Sequence, residues 1–226
     1  MTPNRSVMQA RASAPDELDY FPTPPFATRA LCEFLIDIDH DLRGMTAWEP
    51  ACGECHMSGA LWGYFGDVRA SDVHRYSDEH ELIDFLTVGR TYDPVDWVIT
   101  NPPFIHAEAF IETALSVSML GCAMLVRTSF LESEGRFRAL FSVNPPSYVL
   151  QFSERVVMLK GRLIKAGAVD PFSLKPGTKA STATSYCWMV WTKPGRNETV
   201  LRWISPARAR LERDGDYPEY EKEDNQ

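Results

Sequence analysis

The sequence predicts an α/β fold on a mostly parallel sheet, and three strand ends carry that prediction. Thr46-Ala47-Trp48-Glu49 reads as a short buried strand running into Pro50-Ala51-Cys52-Gly53, with a helix expected from about Met57 to Phe65. Strand, Gly turn and helix in that order open a nucleotide-binding α/β unit, because the tight turn lets a ligand approach the backbone. A second apolar strand, Val68 to Ser71, ends in Asp72, an acid placed to accept hydrogen bonds from ribose hydroxyls. A later strand, Trp97 to Thr100, ends in Asn101-Pro102-Pro103-Phe104. In open α/β sheets ligands bind at the carboxyl ends of strands, so polar strand ends in succession point to one site.

The chemistry of Asn101-Pro102-Pro103-Phe104 follows from its residues. Two prolines fix φ near about −65° and remove two backbone donors. What remains is acceptor-rich, the Asn side-chain oxygen and the proline carbonyls, with an aromatic face beside them. Such a turn suits a flat molecule that carries an amino group.

The other elements follow in order along the chain. Residues 1–18 are expected to form a disordered arm, 19–205 the folded domain, and 206–226 an acidic tail. Thr23 is suited to an N-cap with Pro24 at the first helical position, and Ala27, Ala30, Leu31, Phe34, Leu35 and Ile38 recur at helical spacing. Ile83-Asp84-Phe85-Leu86 reads as a third strand carrying an acid. Ala107, Phe110, Ile111, Ala114, Leu115 and Ser118 mark a helix face after the Asn-Pro-Pro-Phe turn. Ala123 to Val126 is a buried strand, followed by a helix near 132–141. Ser147 to Phe152 and Ser185 to Trp191 read as the last two strands.

With these residues in place, the chain resembles the S-adenosylmethionine-dependent amino-methyltransferases, most closely adenine-N6 DNA methyltransferases of phage and prophage type. The resemblance runs from Asp19 to about Pro218. It is carried by Phe21-Pro22-Thr23-Pro24-Pro25, Glu49-Pro50-Ala51-Cys52-Gly53, Asp72, Asp84-Phe85-Leu86 and Asn101-Pro102-Pro103-Phe104, in the motif order called gamma. It implies a Rossmann-like class I methyltransferase fold: a seven-stranded, mostly parallel sheet with an antiparallel edge hairpin and helices on both faces. It also implies roles. Thr23 caps the methionine end of the cofactor; Glu49, Ala51 and Gly53 form the turn beneath it; Asp72 holds the ribose; Asp84 and Phe85 meet the cofactor adenine. Asn101 and the Pro102 carbonyl accept hydrogen bonds from the target amino group, and Phe104 stacks on the base.

One position departs from the family pattern. Cys55 stands where a second Gly is common, and Cys52-Gly53-Glu54-Cys55-His56 thereby matches the attachment signature of c-type haem. Covalent haem belongs to exported proteins, and the N-terminus lacks the apolar region of an export signal, so haem is not expected. Neither is zinc or another metal, because no second Cys/His pair lies at ligand spacing. Cys32, Cys122 and Cys187 sit in apolar runs, as buried intracellular thiols do.

At 226 residues and 44% hydrophobic, the chain suits one α/β domain. No segment approaches the ~20 apolar residues of a membrane span, and five cysteines without framework spacing argue against a secreted scaffold. The expectation is a cytoplasmic enzyme. A net charge of −8 opposes nucleic-acid binding, but much of the acidity lies in the tail from Glu212 to Asp224. Arg155, Lys160, Arg162, Lys165, Lys175 and Lys179 cluster in a long irregular connection, 155–183, with Asp170 as the acid among them. Such a run more often marks a solvated face. In a chain that handles bases, phosphate contact is the favoured reading, with the connection ordering on DNA or RNA.

Larger gamma-type relatives carry a separate recognition domain, so short or relaxed sequence specificity is expected here. Recognition then falls to the 155–183 connection, the N-terminal arm and the stretch Arg127–Arg138. Three other readings stay open at this level: an RNA base methyltransferase acting on adenine N6 or guanine N2, a protein glutamine methyltransferase, and a degenerate methyltransferase fold serving as a binding module.

Overall fold

Two prolines start the first helix, α1 (Pro25–Asp37): Pro24 stands at the N-cap, Pro25 at the first helical position, and Ala27 N donates to Pro24 O at 2.9 Å. The expected cap at Thr23 is therefore displaced by one residue. The computed structural model describes residues 19–38, 40–88 and 92–220. The expected arm, 1–18, and the last acids of the tail, Glu221, Glu223 and Asp224, lie outside the described residues.

Strand β1 (Thr46–Glu49) leads through the Gly turn into α2 (His56–Leu61). The helix ends before the expected Phe65 because Gly63 N and Tyr64 N bond three residues back, which tightens the turn. Next come β2 (Asp67–Asp72) and β3 (Glu81–Leu82). The third strand thus precedes Ile83-Asp84-Phe85-Leu86. Asp84 instead caps a 3₁₀ turn at Phe85–Thr87, its side chain accepting from Leu86 N at 3.0 Å. An Asp that caps a turn competes with strand formation. Strand β4 (Val95–Thr100), α3 (Ala107–Val117) and β5 (Ser118–Arg127) follow. The expected helix near 132–141 is α4 (Glu134–Arg136), capped by Ser133 and running into a π-helical turn at Phe137–Phe141.

Strands β6 (Tyr148–Phe152), β7 (Tyr186–Thr192) and β8 (Val200–Ile204) and the short helix α5 (Arg208–Leu211) complete the chain. The sheet order is β3-β2-β1-β4-β5-β7-β6-β8. β7 is antiparallel to β5 and β6, and the remaining pairs are parallel. Among the described residues the sheet therefore has eight strands rather than seven. The added one, β8, pairs in parallel with β6 at the edge. The expected antiparallel pair lies at that end of the sheet, one strand in from the edge.

Strand alternation divides the core between the two faces of the sheet. Trp97, Ile99, Ala123, Leu125 and Trp188 pack with α1, α2 and α5 through Phe26, Leu31, Leu35, Leu61 and Leu211. Trp48, Val98, Cys122, Met124, Val126 and Met189 pack on the opposite face with Phe110, Ile111 and Ala114 of α3 and with Leu140. The chain after β8 lies against α1. Arg29 pairs with Asp216 at 2.6 Å, both side chains more than nine-tenths buried, and Arg210 pairs with Glu33.

Candidate functional site

The sheet order reverses at β1, which has β2 on one side and β4 on the other. Connections leaving such a pair to opposite faces open a crevice at the carboxyl ends of the strands. A cavity of about 710 Å³ lies there, lined by Glu49 at the end of β1, Asp72 at the end of β2, and Asn101 after β4. Ala51, Cys52, Ile83, Asp84 and Phe85 also line it, and the segment Asp19–Thr23 closes one wall.

The turn after β1 is held by backbone donors. Gly53 has φ +53°, and a Cβ there would meet the Tyr20 ring at 2.3 Å. Its N–H donates to Asp72 Oδ2 at 3.0 Å, and His74 N donates to Asp72 Oδ1 at 2.9 Å. Asp72 is thereby fixed with both oxygens retaining acceptor capacity toward the cavity. Cys55 takes φ 63°, a left-handed backbone that favours glycine. Its thiol shares a hydrogen bond with that of Cys52, which favours the thiolate at Cys55 and opposes it at Cys52.

Glu49 is buried, and Ser58 Oγ donates a short hydrogen bond to it from α2. Burial pushes its carboxyl well above the usual carboxylate range, and the Ser58 bond offsets only part of that. Phe85 is wedged between Trp48 and Phe110, with ring centroids 5.1 Å away in each case. It gives the cavity an aromatic wall beside the Asp84 carboxylate.

The segment Asp19–Thr23 straps the turn after β1 to the Asn101–Phe104 tetrapeptide. Tyr20 OH accepts from Glu54 N at 3.3 Å, and Asp19 Oδ2 accepts from Phe104 N at 2.8 Å. Phe21 O accepts from Asn101 Nδ2 at 2.8 Å. Thr23 is buried, and its hydroxyl donates to the Met158 sulfur at 3.7 Å. With its amide nitrogen occupied, Asn101 turns its Oδ1 the other way. That oxygen is buried and has no hydrogen-bond partner among the described residues. Pro102 is buried.

Phe104 lies outside the cavity wall, 5.5 Å from the Phe21 ring and 6.5 Å from Tyr186, with the Arg127 guanidinium 4.0 Å above its centroid. The expected site residues thus fall into two groups. Thr23, Glu49, Ala51, Asp72, Asp84, Phe85 and Asn101 line one cavity, with Gly53 in the turn beneath it. None of the six basic residues is among those that line it, although Gly161 N, next to Lys160, donates to Tyr20 O at 2.9 Å. Arg162 is paired with Asp170 at 2.7 Å, Lys165 with Glu212 at 3.0 Å, and Arg155 donates to Ala183 O and Ser185 Oγ. Lys175 and Lys179 are exposed. The 155–183 connection itself packs through Val156, Met158 and Leu163, with a small cluster of Val157, Ile164 and Ala180. Tyr20, Met158, Arg127 and Tyr186 are site residues that sequence reasoning did not single out individually. Tyr20, adjoining the Phe21–Pro25 motif, and Arg127, at the start of the Arg127–Arg138 stretch, offered a local signal.

Among the described residues no group of three or more His, Cys, Asp or Glu is placed to hold a metal, and no helix is long and apolar enough to cross a membrane.

No family model and no curated protein sequence matches the chain. Solved structures do match it in fold. A Listeria monocytogenes protein assigned as a class I S-adenosylmethionine-dependent methyltransferase superposes with TM-score 0.55 at 15% identity, over 83% of this chain and 67% of that one. A Pyrococcus horikoshii protein assigned as an RNA methyltransferase gives 0.52 at 17% identity, over 76% and 86%. A Vibrio vulnificus protein, assigned as the modification subunit of a type I restriction enzyme, gives 0.51 at 13% identity, over 88% and 50%. The chain thus spans half the length of that subunit, and its fold is the Rossmann-like fold of class I methyltransferases.

Proposed function

We propose that the protein transfers a methyl group from S-adenosylmethionine to the exocyclic N6 amino group of adenine in DNA. The observation that carries this reading is the buried, unpartnered Oδ1 of Asn101, held in orientation by the Phe21 carbonyl. A buried acceptor without a donor is costly, of the order of 1–3 kcal/mol, and is retained where a ligand completes it. An amino hydrogen is the donor it lacks.

The cavity residues fit the cofactor. Asp72 offers carboxylate oxygens to ribose hydroxyls, and Phe85 with Asp84 offers an aromatic wall and an acceptor to an adenine ring. Glu49 offers a buried carboxylate that a cation can ionise. When bound, S-adenosylmethionine supplies an electrophilic methyl carbon on a sulfonium. The protein's part is to orient the amine. Its lone pair is delocalised into the purine, and acceptors at Asn101 Oδ1 and the Pro102 carbonyl draw the amino hydrogens so that the lone pair is localised toward the cavity. Positioning of this kind supplies much of the acceleration in such a transfer. Phe104 offers a ring to the extruded base.

The reading is tested by incubating the protein with labelled S-adenosylmethionine and separately with DNA or RNA, followed by mass spectrometry of nucleosides. N6-methyladenine in DNA supports it. Methyl on RNA alone replaces it with the RNA base reading, and no transfer to either overturns it.

A further inference from the structure

We propose that Arg127 receives the backbone phosphate of the extruded target nucleotide, and that in the free protein its guanidinium holds the place on Phe104 that the target base takes. The inference rests on the base-methylation reading above.

Arg127 ends β5 and lies directly opposite Tyr186 in the antiparallel register with β7. Directly paired residues project to the same face of a sheet, which brings both side chains to Phe104. The guanidinium carbon is 4.0 Å from the Phe104 centroid, and the Tyr186 ring is 6.5 Å away at an interplanar angle of 29°. A purine stacking on Phe104 needs a ring face, and this cation covers one.

The electrostatics of Arg127 are unlike those of the other partly or fully buried arginines among the described residues. Arg29, Arg136 and Arg162 each pair with a carboxylate, Asp216, Glu108 and Asp170 respectively. Among the described residues no carboxylate pairs with Arg127, and its Nε is buried without a hydrogen-bond partner. A half-buried cation held by a ring alone is under-satisfied, because a cation–π contact leaves the N–H donors unmet. A planar fork of such donors matches a phosphate bidentately. Within this site the group that brings an anion and also requires the Phe104 face is a nucleotide.

Exchange follows from that geometry. The base displaces the guanidinium from the ring, and the guanidinium turns to the phosphate that arrives with it. Arg127 is therefore a binding residue for the polymer, with no contact to the cofactor.

The test uses the full chain and a duplex containing an adenine that the wild-type protein methylates. Arg127→Met and Arg127→Lys are compared with wild type for kcat, KM for DNA, the salt dependence of KM, and the Kd for S-adenosylmethionine. Arg127→Met is expected to raise KM about tenfold and to lower the salt slope by about one, with Arg127→Lys recovering part of both. The cofactor Kd is expected to stay at the wild-type value, which also reports that the variant is folded. A methylphosphonate replacing one phosphate flanking the target is expected to raise the wild-type KM similarly and to add nothing to Arg127→Met. A wild-type KM and salt slope in Arg127→Met overturns the inference, as does full additivity with a methylphosphonate at every flanking position. If the wild-type protein transfers no methyl to DNA, the reading of the site fails; if it does and Arg127→Met is indistinguishable, only the role of Arg127 falls.

Discussion

Asn101 and Phe21, 80 positions apart, are joined by one hydrogen bond that sets the polarity of the site. Asn101 Nδ2 donates to Phe21 O at 2.8 Å, so the amide cannot turn its NH2 group toward the cavity. The end that is left is an acceptor, and it is buried without a partner.

Asn101→Ala removes that acceptor and is expected to lower kcat by at least about 10²-fold, the scale of loss when a reacting group is no longer oriented. Cofactor affinity is expected to stay close to wild type, since the contacts proposed for Asp72, Asp84 and Phe85 persist. Single-turnover methylation and calorimetric titration of the cofactor separate the two. Full activity in the variant would falsify the role given to Asn101.

Glu49 provides a pH signature. Its carboxyl is raised by burial, so the free protein binds a proton there that the unfolded chain releases. The sign follows: its contribution to stability is present below the ordinary carboxylate range and is lost as pH rises through the raised value. Glu49→Gln is expected to unfold at higher urea than wild type near pH 8, with the gap closing as pH falls to the ordinary carboxylate range. A positively charged cofactor favours the ionised form, so binding should release a proton. Calorimetry in buffers of different ionisation enthalpy measures it, and a buffer-independent heat at every pH would contradict the assignment.

The turn at Gly53 and Cys55 should respond in opposite directions to substitution. Gly53→Ala puts a methyl group 2.3 Å from the Tyr20 ring at a positive φ, at a cost of about 1–3 kcal/mol for the overpacking alone, and it should weaken cofactor binding by displacing the strap. Cys55→Gly relieves a left-handed side-chain position and is expected to raise stability by about 0.5–1 kcal/mol. Urea midpoints decide both; a destabilised Cys55→Gly would mean that the thiol pair outweighs the strain.

Asp216 ties the chain after β8 to α1. Burial raises its carboxyl, but hydrogen bonds from Arg29 and from Arg213 N outweigh burial, and the group sits below its ordinary value. Its contribution is present above the ordinary Asp range and is lost as pH falls through the depressed value. Asp216→Asn leaves Arg29 buried without its carboxylate and is expected to cost about 3 kcal/mol at pH 7, with the difference shrinking in acid. Equal urea midpoints at pH 7 would show that the pair is replaceable by water.

Elements with strong local patterns were legible from the residues: β1 into its Gly turn, β4 into Asn101-Pro102, and the faces of α1 and α3. Those that were misread lack such a pattern. β3 is two residues long and mostly exposed, and Asp84 beside it is a turn cap. β8 is an edge strand with Leu201, Arg202 and Trp203 all exposed, so no alternation of buried and exposed residues announces it. Thr23 lost its cap role because its hydroxyl meets Met158, 135 positions away.

Sequence alone determined which groups stand at the strand ends, because strand periodicity, prolines and the Gly turn act through neighbouring residues. Glu49, Asp72 and Asn101 come to one crevice as soon as the strands are parallel and ordered. Tertiary structure decided which way those groups face and which charges are already spent. Phe21 orients the Asn101 amide, Asp170 and Glu212 neutralise Arg162 and Lys165, and Arg127 is left over Phe104 without an anion among the described residues. The physical reason is that a hydrogen bond or ion pair is chosen by what packing brings within about 3 Å, and these partners come from distant segments.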